Sequence, residues 1–421
     1  MDDHGLQLLD ELVKSKGNEL RAIIPADSQS RGSTLFPLLR RLIDATEAER
    51  LDVLKDLSNA SDITRSVLGR KLLRHNQKLD VLHMLAADYV ADVDRQDIPV
   101  GLLCLIDTLI DDLLPNPADP LVHLVPDRMY STLTLTQLAA SLLKDSSLVA
   151  SAGPIVFNLP ALDPANALLS PILAHEVGHT VVQERKLLNQ LTQAVDLGQI
   201  DAIFKRCLAK DPKADPSHWK GQLGSWISEL LCDALATALT GPSFLYASAT
   251  FLPAPSRGGL GSHPFPAERV RFTLSQLDSF GWQGYLGTHS AMVTDWLRTL
   301  ESNRPSTPSP EEEFLTESVA LMESAIASIA AQHVVSRLDV SEYSKCSAEL
   351  CELFDAGIPP SRLQHGVPTP WQLILCGWEV ALQHYGNSSR SLGQAVSDRA
   401  FNAFLIKGIE LVRITQLWDA A

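Results

Sequence analysis

The sequence predicts a mainly α protein with a small β element. Apolar residues recur at intervals of three and four along most of the chain, and glycines and prolines punctuate those runs. One segment, "GPIVFNLP" from Gly153 to Pro160, breaks the helical period with a short β-branched and aromatic run bounded by proline, and predicts a strand. A chain of 421 residues can bury a core as two or three domains or as one large helical body. Its 45% hydrophobic and 20% charged residues are those of a globular protein, and the formal charge of -15 argues against a nucleic-acid or anionic-membrane surface.

The amino-terminal stretch "MDDHGLQLLDELVKSKG" is acidic where a signal peptide is basic, and Leu6, Leu9 and Val13 give it one apolar face, so an amphipathic helix is expected. Residues 1–145 read as a helical region, with Leu51, Leu54 and Leu57 and later Val81, Leu82 and Leu85 at helical spacing, and breaks at Gly32, Pro37 and Pro115. Within it Asp107, Asp111 and Asp112 fall beside leucines and read as the wet face of an amphipathic helix. A core region, 146–300, is expected next, with helices over Ala165 to Val182, near Glu184 to Leu208, and from about Leu223. "AKDPKADPSHWKG" reads as a surface loop between the last two. The uncharged run Ala234 to Ser256 is long enough to cross a bilayer, but Gly241, Pro242, Pro253 and Pro255 interrupt it, and no membrane span is expected. "ESNRPSTPSPEEEF", residues 301–314, has linker composition, and 315–421 is again helical with Trp371, Trp378 and Trp418 as core anchors. Six cysteines without a CxxC pair suit a reducing compartment, and the cytoplasm is the expected location.

Chemistry concentrates in "AHEVGHTVV", Ala174 to Val182. On a helix, residues four apart project from one side, so His175 and His179 can present two imidazoles to a single ion while Glu176, one step round, flanks it. A zinc hydrolase needs two such ligands, an open position for water, and a carboxylate to take the water's proton. Ser170 and Pro171 supply a helix start, and Gly178, a poor helix former, implies close backbone approach between the two histidines. The third ligand is expected downstream in "SWISELLCDALATAL", where Glu229 and Asp233 are again four apart. Their apolar neighbours Ile227, Leu230, Leu231 and Leu235 argue against a solvated face. Glu229 would then bind the ion and Asp233 would orient a ligating histidine; Cys232, next to Asp233, could approach the ion, but a buried small side chain is the simpler reading. In "GSHPFPAERVRF", His263 could donate to a developing oxyanion, and Arg269 or Arg271 could hold a carboxylate of the site or of the substrate; the alternative is a proline-stiffened turn before a helix starting near Pro266. The remaining histidines lack a partner at ligand spacing and are assigned no role.

"HEVGH", "ELLCDALATALTG" and "SHPFPAERV", in that order, resemble the gluzincin metallopeptidases, in particular the CaaX-prenyl peptidases and the HtpX-like membrane peptidases. The likeness covers about residues 150–280. It implies a zincin-like core with one zinc ion held by His175, His179 and Glu229, Glu176 as general base, Asp233 behind the ligands, and His263 and Arg269 as an auxiliary pair. Those peptidases use transmembrane helices; none is expected here, so the implied activity is soluble peptide-bond hydrolysis, on a peptide or protein substrate. The flanking helical regions leave room for a regulatory protein partner. In gluzincin folds an edge strand binds extended peptide, and "PIVFNL", Pro154 to Leu159, stands where that strand would be. Two other readings use the same residues: a helical interaction protein that keeps a peptidase-like metal site, and a different zinc-dependent amide hydrolase.

Overall fold

The computed structural model describes residues 3–24, 35–57, 62–90, 98–114, 120–125, 130–134, 155–160, 165–251, 263–286, 290–302, 307–386 and 389–420. Gly32, Pro115, Gly153, Pro154, Pro253 and Pro255 lie outside them, as does 303–306 of the segment read as a linker. Among the described residues there are seventeen α-helices and one three-stranded mixed sheet. The chain divides into two compact units, residues 1–97 with 116–162, and residues 98–115 with 163–421. This division differs from the expected one: residues 315–421 belong with the core region, and 98–115 leave the amino-terminal region to join it.

In the first unit α1 (Asp3–Ile23), α2 (Leu35–Leu57) and α3 (Asp62–Val90) pack on one another. Leu6, Val53, Leu68 and Leu72 form their buried cluster, while Leu51 is exposed. The sheet is β1 (Pro120–Val125), β2 (Ser131–Thr134) and β3 (Ile155–Pro160), ordered β1-β3-β2. β3 runs parallel to β1, with Phe157 opposite Val122, and antiparallel to β2, with Val156 opposite Leu133. The predicted strand is therefore central. Both of its edges are hydrogen-bonded and Ile155, Val156, Phe157 and Leu159 are buried, so it offers no free edge to an extended peptide.

The second unit begins with α4 (Val100–Leu113) and a 3-10 turn, Ala167–Leu169, and continues through α5 (Pro171–Glu184), α6 (Leu187–Ala194), α7 (Leu197–Leu208) and α8 (Pro216–Thr240). After α8 come α9 (Pro242–Phe251), α10 (Pro266–Ser279), α11 (Gln283–Leu286), α12 (Ser290–Glu301), α13 (Pro310–His333), α14 (Val340–Asp355), α15 (Pro370–Tyr385), α16 (Ser389–Ser397) and α17 (Arg399–Ala420). α8 is the central helix, buried without a break from Glu229 to Thr240 and packed against α5, α10 and α13. It starts seven residues before the expected point because Asp215 accepts from the Ser217 amide at 2.9 Å and Pro216 takes the first turn, so half of the presumed surface loop is helix. Gly241, at φ +58°, turns the chain sharply into α9.

Three further expectations change. "SPEEEF" is a helix start rather than linker: Ser309 caps α13 through the Glu312 amide at 3.1 Å, and three glutamates occupy the first turn, where the helix dipole favours them. Asp112 is buried, accepting from the Trp371 indole at 3.3 Å, because α4 is covered on that side by the rest of its unit. Trp371 and Trp378 are buried anchors, but Trp418, on the last turn of α17, is 82% exposed. α13 is the one helix among the described residues long and apolar enough to cross a membrane, and half of its apolar window is buried, against α7 and α8.

α5 and α8 meet at Gly178. A methyl group there would lie 3.0 Å from the Cys232 Cα and 3.1 Å from its Cβ, so the two backbones touch where only hydrogen fits. Gly178→Ala adds about 1 kcal/mol of helix propensity but overpacks the contact at a cost of about 1–3 kcal/mol. Urea denaturation should therefore show net destabilisation. Gly221→Ala on α8, with nothing within 4 Å, should stabilise; an equal response of the two variants would remove the close-approach account.

Candidate metal centre

α5 opens with Pro171 at its first position, but Ser170 does not cap it: the hydroxyl donates back to the Ala167 carbonyl at 2.6 Å. The helix presents His175 and His179 one turn apart, with ring centroids 5.0 Å from each other and nearly perpendicular. α8 brings Glu229 to them. His175 Nε2 lies 3.4 Å from Glu229 Oε2, and His179 Nε2 lies 3.7 Å from Glu229 Oε1. One donor atom from each of these three residues lies within 4.8 Å of the others, so the group could hold a metal ion.

The spacing is informative. Nitrogen and oxygen bonded to one tetrahedral zinc ion at about 2.1 Å sit roughly 3.4 Å from one another. The observed separations match that figure and exceed a good hydrogen bond. Glu229 Oε2 is closed off from solvent and has no hydrogen-bond partner, which is costly unless something else satisfies it. A cation between the three residues would.

Behind the ligands stands a buried charge network. Asp233, fully inaccessible, accepts from His175 Nδ1 at 2.8 Å and from Arg269 on α10 through Nε at 2.8 Å and Nη2 at 2.5 Å. That bond commits the His175 Nδ1 proton outward and turns Nε2 toward Glu229. Burial pushes the Asp233 carboxyl up, but the Arg269 guanidinium and His175 together hold it well below its ordinary value. Burial also disfavours a charged His175, yet Asp233 outweighs this and raises it to about 9. His179 is lowered to about 4 by burial and by the charge on His175. Glu229 is lowered: burial opposes its charge, and His175, with Arg269 and His179, overcomes it. Glu176 is raised by burial, and the nearby Glu229 adds to the rise against the opposing pull of His175.

The residues of "GSHPFPAERVRF" separate. Arg269 sits on Asp233, with its side chain 12% exposed. Arg271 faces elsewhere, toward Glu268 and Glu301. His263 lies on the rim, exposed, with Nε2 3.5 Å from Glu229 Oε1, and α10 does start at Pro266. Two contacts were not foreseen. The Cys232 thiol lies 3.4 Å from His179 Nδ1, giving the second imidazole an outer partner as Asp233 does the first. Phe244 of α9 stacks on His175 with centroids 6.1 Å apart and planes 8° from parallel. The adjacency of Cys232 to Asp233 hinted at the first contact; the turn at Gly241, which aims Phe244, carried no signal specific to the site.

Two outcomes follow from the network. Metal binding at His175 Nε2 must displace its proton below about pH 9, while His179 is already neutral above about pH 5. Apparent affinity, measured by competition with a chelator, should rise about tenfold per pH unit between pH 6 and 8 and level off above 9. Flat affinity across that range would contradict a protonated His175. Asp233→Asn keeps an acceptor for Nδ1 but leaves Arg269 buried without its counter-charge, so metal affinity should fall about 10–100-fold and stability by about 3–5 kcal/mol. Parent-like values in metal titration and urea denaturation would show the network to be dispensable.

The chain matches no protein-family model, no curated protein and no solved structure.

Proposed function

We propose that this protein is a zinc-dependent peptidase of gluzincin type, with α5 and α8 as a zincin-like core. The observation that carries the proposal is the convergence of His175, His179 and Glu229 from two helices while Glu176, on the same turn as the first histidine, stays outside the ligand set. A purely structural zinc is normally closed by four protein ligands and has no use for a base beside three. When bound, the ion would supply Lewis-acid polarisation of a peptide carbonyl and a solvent nucleophile near neutral pH. Glu176, whose proton affinity burial raises, would take a proton at a carboxylate oxygen and hand it to the departing amine. Asp233 and Arg269 would keep His175 in one tautomer and orientation throughout. His263, exposed and beside Glu229, would meet substrate and donate to a developing oxyanion. All six cysteines are free thiols, which supports a reducing location such as the cytoplasm.

The test is Glu176→Gln in the full-length protein, with cleavage of a peptide library followed by mass spectrometry and bound metal followed by elemental analysis. Cleavage should fall by about 10²–10⁴-fold with the zinc content unchanged from that of the parent. Cleavage at the parent rate would overturn the assigned role, and a zinc-loaded parent that cuts no peptide would favour an interaction protein or an amide hydrolase of another class.

A further inference from the structure

We infer that the second unit carries another metal site, built from Cys351, Cys376 and Glu379, that takes a thiophilic divalent cation of the zinc class. The site does not depend on the peptidase reading. Cys351 lies on α14, and Cys376 and Glu379 lie one turn apart on α15, so two neighbouring helices again supply one and two ligands. The two sulfurs are 3.5 Å apart, and one donor atom from each of the three residues lies within 4.8 Å of the others. Two zinc–thiolate bonds of about 2.3 Å at the tetrahedral angle place their sulfurs roughly 3.8 Å apart, so the pair needs little movement to share an ion.

The carboxylate is already oriented. Both Glu379 oxygens accept hydroxyls, one from Tyr285 and one from Tyr343. Tyr343 is buried, and Tyr285 is wedged edge-on against the buried Trp282 at 5.1 Å. Such outer hydrogen bonds are what fix a ligating carboxylate, and two donors leave about two lone-pair sites unused. Two thiols and a carboxylate thus converge at one point. Cys376 is buried while Cys351 and Glu379 are half-buried, which leaves a way in from solvent. Binding would form two sulfur–metal bonds and release the two thiol protons to solvent, and would tie α14 to α15.

The experiment is anaerobic titration of reduced, chelator-stripped full-length protein with Co²⁺. It should take up two ions per chain and develop a thiolate-to-cobalt charge-transfer band in the near ultraviolet. His175→Ala should keep the band and bind one ion. Cys351→Ser and Cys376→Ser should each lose the band and bind one ion, with helical circular dichroism unchanged. Cys232→Ser tests the other thiol close to a metal centre and should keep the band. Glu379→Gln, which leaves both sulfurs in place, should weaken the sulfur site at least tenfold. A parent without the band overturns the inference, as does a band that survives loss of both Cys351 and Cys376 or vanishes with Cys232. Failure of the histidine centre alone would remove one ion and leave the band, so the two readings fail separately.

Discussion

A carboxylate wholly removed from water organises the second unit. Asp233 is tolerable at the middle of α8 only because Arg269 closes on it with two bonds and His175 with a third. Buried charge of this kind contributes little net stability, but breaking it is costly, so it acts chiefly to specify one arrangement. Three helices, α5, α8 and α10, are thereby held to one register at one point. The donors of His175 and Glu229 follow from that register. Gly178 supplies the complementary condition, since Glu229 reaches the imidazoles only if the two helix backbones come into contact.

The candidate metal centre was more legible in the sequence than the fold around it. Spacing of four on a helix is a local geometric fact, and it placed His175 with His179 and Glu229 with Asp233 without any tertiary knowledge. The glycine between the histidines likewise announced a near contact, although not that Cys232 would make it. The sequence offered Arg269 or Arg271 as holder of a carboxylate; that it is Arg269, and on Asp233, was not readable, because a helix following a proline-rich turn can rotate either arginine inward.

What stayed hidden was tertiary. β3 was recognisable as a strand, but pairing on both sides depends on β1 and β2, whose "PLVHLV" and "STLT" are too short to stand out. Asp112 looked like part of a wet stripe, and an apolar neighbour from elsewhere in its unit, Trp371, reversed that. "SPEEEF" has the composition of a linker and the cap chemistry of a helix; the cap prevailed because α13 buries its apolar side against α7 and α8. The thiols of Cys351 and Cys376 have no motif spacing at all, and only the packing of α14 on α15 brings them together.

The left-handed residue Gly241 has an effect beyond ending α8. The turn it makes brings Phe244 beside His175 with the two ring planes nearly parallel, so that imidazole has a hydrocarbon neighbour. His179 and His263, with side chains 39% and 63% exposed, are far more open to water than His175 at 7% and Glu229 at 10%. Water therefore meets this group at His179 and His263, while His175 and Glu229 stay largely covered.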